Sequence, residues 1–492
     1  MFKKVYLCVI AVIVILLPSI LTAQAPDTLW TRRYNGPDNY VIYATGCAVD
    51  TFGHLFVTGV YTYGLSVDYM TIKYDLITGD TIWTRRYNSP SNEDEQAGGC
   101  AVDGLGNLYV TGHTGNGGND DYLTIKYNAG SGDTIWTRRY SGPGSNNDLA
   151  YSCAVDDSGY LYVTGGSYSD SHYDYLTIKY NTVTGDTIWT HRYHALANIG
   201  DIATGCAIDA SGNLYVTGYS SNGTNNDYLT IKYNTNTGDT LWTRRFNHLA
   251  DSRDDASGCA VDLSGNLYVT GVSYDDTHAN YLTVKYNTAT GDTIWTRRYH
   301  SAINNDDYAS GCAIDGSGNI YVTGYSGQNA NWNYLTIKYD ATTGNTIWTT
   351  CYKDSSDAAH SCTVDGYGNL YVTGVYDNGV NCGYLTIKYN TATGVTGKPE
   401  FPMTVSKLKL EQNRPNPFSQ HTTISYQLSS SGPASLNIYN AAGQLVKTFN
   451  MGQQQAGYHQ VEWSDSNTPA GVYFYRLTAG NYQATKKLVV LK

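Results

Sequence analysis

From residue 27 to residue 394, apolar and polar positions alternate with a period of two, in short bursts separated by Gly, Asn, Asp, Thr and Ser. This is the signature of short β-strands joined by turns, and no long stretch in this range carries the 3.6-residue spacing of an amphipathic helix. Residues 205–246 show one complete unit, "GCAIDASGNLYVTGYSSNGTNNDYLTIKYNTNTGDTLWTRRF". It holds four β runs, GCAID, NLYVTGY, DYLTIKY and TLWTRRF. The first two are joined across Asp209–Asn213 and the last two across "NTNTGD", where Asp, Asn and Gly supply turn hydrogen bonds and tolerance of positive φ. Variable stretches follow the second and fourth runs. The unit therefore predicts a four-stranded antiparallel meander with two tight turns and two open loops.

The unit recurs. Trp30, Trp83, Trp136, Trp189, Trp242, Trp295 and Trp348 stand 53 residues apart, and only Trp332 and Trp463 lie outside the series. First-run cysteines (Cys47, Cys100, Cys153, Cys206, Cys259, Cys312, Cys362) and third-run lysines (Lys73, Lys126, Lys179, Lys232, Lys285, Lys338, Lys388) also number seven. Neither face of such a sheet is purely polar, since Leu229, Ile231 and Tyr233 point one way and Tyr228, Thr230 and Lys232 the other. Both faces need neighbours, which radial stacking of like sheets on like supplies. The expected fold is all-β, a seven-bladed β-propeller followed by a small C-terminal β-sandwich. The array begins on a fourth run, "TLWTRRY" at 28–34, and ends on a third, "GYLTIKY" at 383–389, so the N-terminal strand is expected to close the last blade.

Composition fits this reading: 47 tyrosines and 51 glycines favour strands and tight turns. Residues 1–23 stand apart. Lys3 and Lys4, the apolar run Val5–Leu17, Pro18 and "LTAQA" are laid out as a secretory signal peptide, with cleavage after Ala23 preferred, and the run is short for a bilayer span. Loss of the two lysines makes a formal net charge of −11 two units more negative, which argues against nucleic acid as a partner. No membrane span is expected after cleavage, and the chain is expected to be a monomer.

Comparison among the seven copies separates framework from variable positions. Asp50, Asp103, Asp156, Asp209, Asp262, Asp315 and Asp365 precede the first turn, where a carboxylate is expected to cap turn amides. The tryptophans are expected to pack between blades, with the arginine two residues on, as at Arg32 and Arg244, stacking on the indole. The lysines are expected to pair with carboxylates between blades. The inner cysteines read as small buried residues. Cys351 replaces an arginine and Cys382 a usual Asn or Asp, and in an exported protein an interblade disulfide between them is expected.

"AVDGLGNLYVTG" at 101–112, with "YLTIKYN" and "TIWTRRY" after it, resembles the SBBP family of bacterial β-propeller repeats over residues 27–394. The copies here carry a tryptophan strand and are longer than many such repeats. That resemblance implies a fold and no particular activity. After a linker at 395–406 the vocabulary changes, and 407–492 alternates apolar runs with Gly and Pro as a small sandwich does. Asn413, Pro415, Asn416, Pro417 and Phe418, then Gly443 in "IYNAAGQLV", Gly471 and Tyr473 in "AGVYFYRL", and the basic end are similar, in order, to the C-terminal sorting domain of type IX secretion in Bacteroidetes. The resemblance implies passage through periplasm and outer membrane to the cell surface or medium, with the secretion machinery as partner.

Function is then expected on the rim that carries the variable loops, among them "NHLADSRDD", "HSAINNDDY", "SYSDSHYDY" and "SGQNANWNY". Their Asn, Asp, Tyr and Trp residues suit a binding module for glycans or proteins. The alternative is a secreted carbohydrate-active enzyme, glycosidase- or lyase-like, whose paired carboxylates would come from a set such as Asp254, Asp255, Asp306 and Asp307. No Ser-His-Asp signature, phosphate loop or metal-ligand spacing marks a catalytic centre, no cofactor is expected, and loop oxygens could take calcium without any motif that demands it.

Overall fold

The computed structural model describes residues 25–391 and 409–491, apart from 36–40, 65, 144–145, 170, 195–199, 249–251, 276–277, 302–304, 329–330, 355, 378, 380–381, 411, 414, 420, 429–431, 455–456, 465–467 and 481. The expected signal peptide at 1–23 and linker at 395–406 lie outside the described residues. The chain divides into two compact units, 1–394 and 395–492.

In the first unit the described residues form seven four-stranded antiparallel sheets. Blades 1 to 6 run in chain order over residues 42–87, 95–140, 148–193, 201–246, 254–299 and 306–352. Blade 7 takes its first three strands from 356–390 and its outer strand from Asp27–Asn35. First strands touch their neighbours in order around the ring, and Ser356–Val364 returns to Ile42–Val49. The fold is a closed seven-bladed β-propeller. The closing strand pairs antiparallel from Asp27↔Asn390 to Asn35↔Gly383 and sets Trp30 opposite Lys388. Trp242 faces Lys232 in the same way in blade 4, with the register shift at the same place. The last blade thus reproduces the geometry of those made from continuous chain.

Blades meet by unlike faces. One core cluster takes Tyr162 and Tyr175 from blade 3 and Ala203, Leu214, Val216, Leu229, Ile231 and Tyr233 from blade 4. The tyrosine face of one sheet therefore covers the aliphatic face of the next. Seven third-strand tyrosines (Tyr69, Tyr122, Tyr175, Tyr228, Tyr281, Tyr334, Tyr384) each donate their hydroxyl to a third-strand carbonyl of the following blade, at 3.0–3.3 Å. Room for these hydroxyls comes from the glycine of "VTG". A Cβ on Gly271 would lie 2.8 Å from the Tyr228 hydroxyl and 2.7 Å from Ala256 Cα, closer than real Cβ atoms come.

A second bond set lies further out. Six carbonyls, those of Leu76, Ala129, Thr182, Thr235, Thr288 and Ala341, each accept two donors from the preceding blade. One is a tryptophan Nε1 at 3.1–3.4 Å. The other is a lysine Nζ at 2.7–3.1 Å. The expected lysine–carboxylate pairing between blades is therefore corrected. A backbone carbonyl takes the ammonium, which also sits near an aromatic ring of its own blade, as Lys126 does 5.4 Å from Tyr109. Burial pulls Lys73 and Lys388 below their ordinary pKa. Arg32, Arg85, Arg138, Arg244 and Arg297 lie 5.6–5.8 Å from the ring centre of the tryptophan two residues before them, the expected cation–π contact. At the blade 6 to blade 7 seam, Trp348 Nε1 has no hydrogen-bond partner among the described residues.

The turn aspartates cap as expected: Asp209 Oδ1 accepts the Ser211 and Asn213 amides at 2.9 Å, and Oδ2 accepts Asn213 Nδ2 and the Tyr215 hydroxyl at 2.8 Å.

In the second unit a three-stranded sheet (Lys409–Leu410, His421–Leu428, Gly457–Ser464) and a four-stranded sheet (Leu445–Gln454, Gly432–Asn440, Gly471–Ala479, Tyr482–Val490) share a core that includes Ile424, Leu436, Trp463, Tyr475 and Leu488.

Removing residues 27–34 opens the ring and strips Trp30 from the core it shares with blade 1. The melting temperature is expected to fall further than for Trp83→Ala, itself a loss of about 3–5 kcal/mol. Differential scanning calorimetry of the two variants checks this, and an unchanged melt for the deletion would refute closure by this strand.

Candidate functional site

The loops after the second and fourth strands of every blade open on the same rim of the ring. They are held from below. At the fifth position before each inner cysteine stands a buried acid, Glu95, Asp148, Asp201, Asp254, Asp307 or Asp357, with Ile42 in its place in blade 1. Asp148 accepts the Gly142 amide, Asp254 the His248 amide at 2.8 Å and Asp307 the Ser301 amide at 2.6 Å. Asp148, Asp254 and Asp307 thus each tie down the loop that leads into their own strand. Burial pushes the carboxyls of Glu95, Asp148 and Asp254 up from their ordinary range. Further out, exposed Arg139 and Arg245 pair with buried Asp121 and Asp227 at 2.6 and 3.0 Å.

The carboxylates of the enzyme reading are engaged in this framework. Asp254 and Asp307 are loop anchors. Asp255 accepts Arg253 Nε at 2.5 Å and Asn226 Nδ2 at 2.9 Å, and Asp306 accepts the Ala279 amide at 2.9 Å. Among the described residues no three His, Cys, Asp or Glu side chains group as a metal-binding set.

What distinguishes one blade from the rest lies just above the anchors. Three positions adjoin there: four before the inner cysteine, its cross-strand partner on the second strand, and six before the third-strand lysine. In blade 6 they hold Tyr308, Tyr325 and Trp332, and in every other blade at most one of the three is Tyr or Trp. Tyr308 stacks on Tyr325 with ring centres 5.1 Å apart, and Trp332 meets the two edge-on at 5.8 and 5.3 Å. All three are half-buried, which leaves part of each ring to solvent. Across the seam, Tyr274 of blade 5 lies 6.4 Å from Tyr308, and the exposed Arg253 guanidinium is 5.9 Å from Tyr274. Asp255 and Arg253 in turn act on Tyr219 of blade 4, whose hydroxyl burial pushes up, and Tyr173 of blade 3 is a further neighbour. The ring contacts thus span the seam of blades 5 and 6, with Arg253 and Asp255 at their margin.

The expected loop "SGQNANWNY" does contribute Trp332. The expected loop "HSAINNDDY" likewise contributes Tyr308, and both residues sit in regular strands; Tyr325, one residue before "SGQNANWNY", lies outside the named loops. Column-by-column comparison of the seven copies would have found it.

Cys351 and Cys382 are both free thiols, a correction to the expected disulfide. Cys382 Sγ is 3.5 Å from Ile42 O in blade 1, whereas Cys351 is exposed on the outer strand of blade 6, so the two face different neighbours.

In the C-terminal unit the motif residues bind one another and the final strand. Asn413 is fully buried and donates Nδ2 to Thr422 Oγ1 at 2.9 Å and to Pro415 O at 3.2 Å. Asn416 Oδ1 accepts the Val489 amide at 2.8 Å, and the Asn416–Pro417 bond is cis. The Phe418 amide donates to Val489 O at 3.0 Å while its ring meets Trp463 edge-on at 5.5 Å. Tyr473 donates its hydroxyl to Pro469 O at 2.8 Å, Gly443 closes a turn at φ +80°, and Gly471 opens a strand. The Asn413–Phe418 run and the basic terminal strand, separate features in sequence, are one structural element.

Tyr281 is fully buried between blades and Tyr308 is half-exposed, so their truncations should differ. Tyr281→Ala is expected to cost about 3–5 kcal/mol, and Tyr308→Ala combined with Trp332→Ala less than half of that. Urea denaturation of both variants reads the difference, and equal losses would return the trio to the framework.

Residues 414–491 match the family model of the secretion system C-terminal sorting domain. Residues 82–119 and 294–329 match that of the SBBP β-propeller repeat. No curated protein matches the chain. Among solved structures, PorZ of Porphyromonas gingivalis, described as an essential bacterial surface component of the type-IX secretion system, is similar with 13% identity over 90% of this chain and 68% of that one, at a TM-score of 0.38. The polysaccharide lyase Uly1 is similar with 12% identity over 72% and 91%, at a TM-score of 0.45. At these scores neither likeness bears on activity. The chain carries SBBP propeller repeats and a type IX sorting domain, and that domain directs it through the periplasm and outer membrane to the cell surface or medium.

Proposed function

We propose that this exported propeller is a carbohydrate-binding module whose ligand stacks on the aromatic surface of blade 6. The observation that carries the reading is the trio Tyr308, Tyr325 and Trp332, one cluster built at a single blade of an otherwise repeated ring. A sugar ring has an apolar C–H face and a hydroxyl edge, so it suits a surface that offers aromatic faces with hydrogen-bonding groups beside them. Asn305, Asn331 and Asn333 flank the trio, and Arg253 with Asp255 lies at its blade 5 margin. The loop anchors hold this surface in shape before a ligand arrives, which lowers the ordering cost of binding. The sorting domain accounts for delivery and the propeller is the delivered module.

A glycan array followed by calorimetry on the exported protein, with and without calcium, tests this. Saturable binding that weakens at least tenfold, about 1.4 kcal/mol, in Tyr308→Ala or Trp332→Ala is the expected result. Binding that ignores both substitutions would overturn the site. Shortened or unsaturated sugar products in the same samples would favour the enzyme reading.

A further inference from the structure

One position on the rim is released from the framework and carries a charge instead. Six residues before the inner cysteine, Asp94, Asn147 and Asp306 each accept, through a side-chain oxygen, an amide at the start of the preceding blade's third strand, at 2.9–3.0 Å. Blade 5 has Arg253 there, the one base in that column of the repeat. A guanidinium has no acceptor. The seam between blades 4 and 5 is tied instead by Asp255, which accepts Asn226 Nδ2 at 2.9 Å. The backbone beneath is unchanged, since Arg253 O accepts the Tyr274 amide at 2.9 Å just as Asn147 O accepts that of Tyr168 at 3.0 Å. The framework therefore fixes where Arg253 stands without using its terminal nitrogens.

Those nitrogens are free. Arg253 Nε donates to Asp255 Oδ2 at 2.5 Å, and neither terminal nitrogen has a hydrogen-bond partner among the described residues, on a side chain that is 56% exposed. The other arginines of this rim, Arg33, Arg86, Arg139, Arg192, Arg245 and Arg298, each engage at least one terminal nitrogen with an oxygen of the protein. Arg253 is also next to the aromatic rings. Its guanidinium lies 5.9 Å from the centre of Tyr274, which lies 6.4 Å from Tyr308. A sugar stacked on blade 6 thus has an open fork of donors beside it, across the seam.

A planar fork of N–H donors matches the oxygens of a carboxylate or a sulfate, and a hydrogen bond to such a charged group is roughly twice as strong as one to a hydroxyl. The carboxylates nearby do not fill the fork. Asp254 and Asp307 hold loop amides, Asp306 holds the Ala279 amide, and Asp255 is shared between Arg253 Nε and Asn226. With a formal net charge of −11 the chain repels anions at long range, so a preference for one has to be made at contact.

On the carbohydrate-binding function proposed for this surface, we infer that the ligand is an acidic glycan. Its carboxylate or sulfate group is held by the terminal nitrogens of Arg253 while a neighbouring sugar ring stacks on the blade 6 trio. Arg253 selects the charge and the aromatic rings select the sugar.

The test presents the exported protein with acidic oligosaccharides and their neutral forms: galacturonan with its methyl ester, and a sulfated galactan with its desulfated form. Calorimetry is expected to show the acidic member of a pair bound at least about tenfold more tightly. Loss on esterification assigns the carboxylate, and loss on desulfation the sulfate. Arg253→Gln is expected to bring the acidic form down to the affinity of the neutral one, leaving the neutral form's affinity and the melting temperature unchanged. Acidic and neutral forms bound equally, with both lost in Tyr308→Ala, would overturn this inference and leave the carbohydrate module standing. Acidic forms bound undiminished by Arg253→Gln would overturn it as well, and failure to bind any glycan would overturn both.

Discussion

Seven buried phenols hold the ring together. Each third-strand tyrosine spans a seam and donates to a backbone carbonyl that is itself part of the next sheet, so every seam carries the same short, directed bond. A hydrogen bond of this kind contributes only about 1 kcal/mol net, but it fixes the distance between sheets, and the other seam contacts depend on that distance. The glycine of "VTG" is the complement of the hydroxyl. With the gap fixed, a tryptophan and a lysine can converge on one carbonyl further out, and aliphatic side chains fill the space between.

Much of this was legible in the sequence because the chain repeats itself. Strand boundaries, blade number and the closing role of residues 27–35 all follow from where the array starts and stops. The lysines were misread because a repeat shows which residue recurs and not what it meets; the acceptor was a backbone carbonyl, which no sequence displays. The stacking of like sheets was legible, but not which faces meet, and each seam joins a tyrosine face to an aliphatic one. The disulfide failed for a related reason. Cys351 and Cys382 stand out by departing from their columns, but the direction each side chain takes depends on which face of its strand it occupies. Trp332 and Tyr308 stand in variable stretches of the sequence, whereas Tyr325 was hidden among 47 tyrosines until the register placed the three side by side.

Framework and site divide the labour by depth. Bonds that repeat lie in the seams and beneath the loops, and they tolerate almost no variation. Above the anchoring acids the copies diverge freely, because a loop tied at its base can change its tip without disturbing the sheet. Blade 6 uses that freedom to gather three aromatic rings, in the same blade whose Trp348 has no hydrogen-bond partner among the described residues and whose paired arginine is replaced by Thr350.

The sequence repeat and the blade are out of phase by one strand. Both family matches run from an outer strand into the first two strands of the following blade. As the chain is made, or as it is threaded through a membrane from its leading end, Asp27–Asn35 has no partner until Cys382–Asn390 follows. The ring's final contact therefore joins segments at opposite ends of the domain, which places completion late and makes it slow in loop-closure terms. An unfinished copy would expose an unpaired strand edge, a template on which another chain can pair.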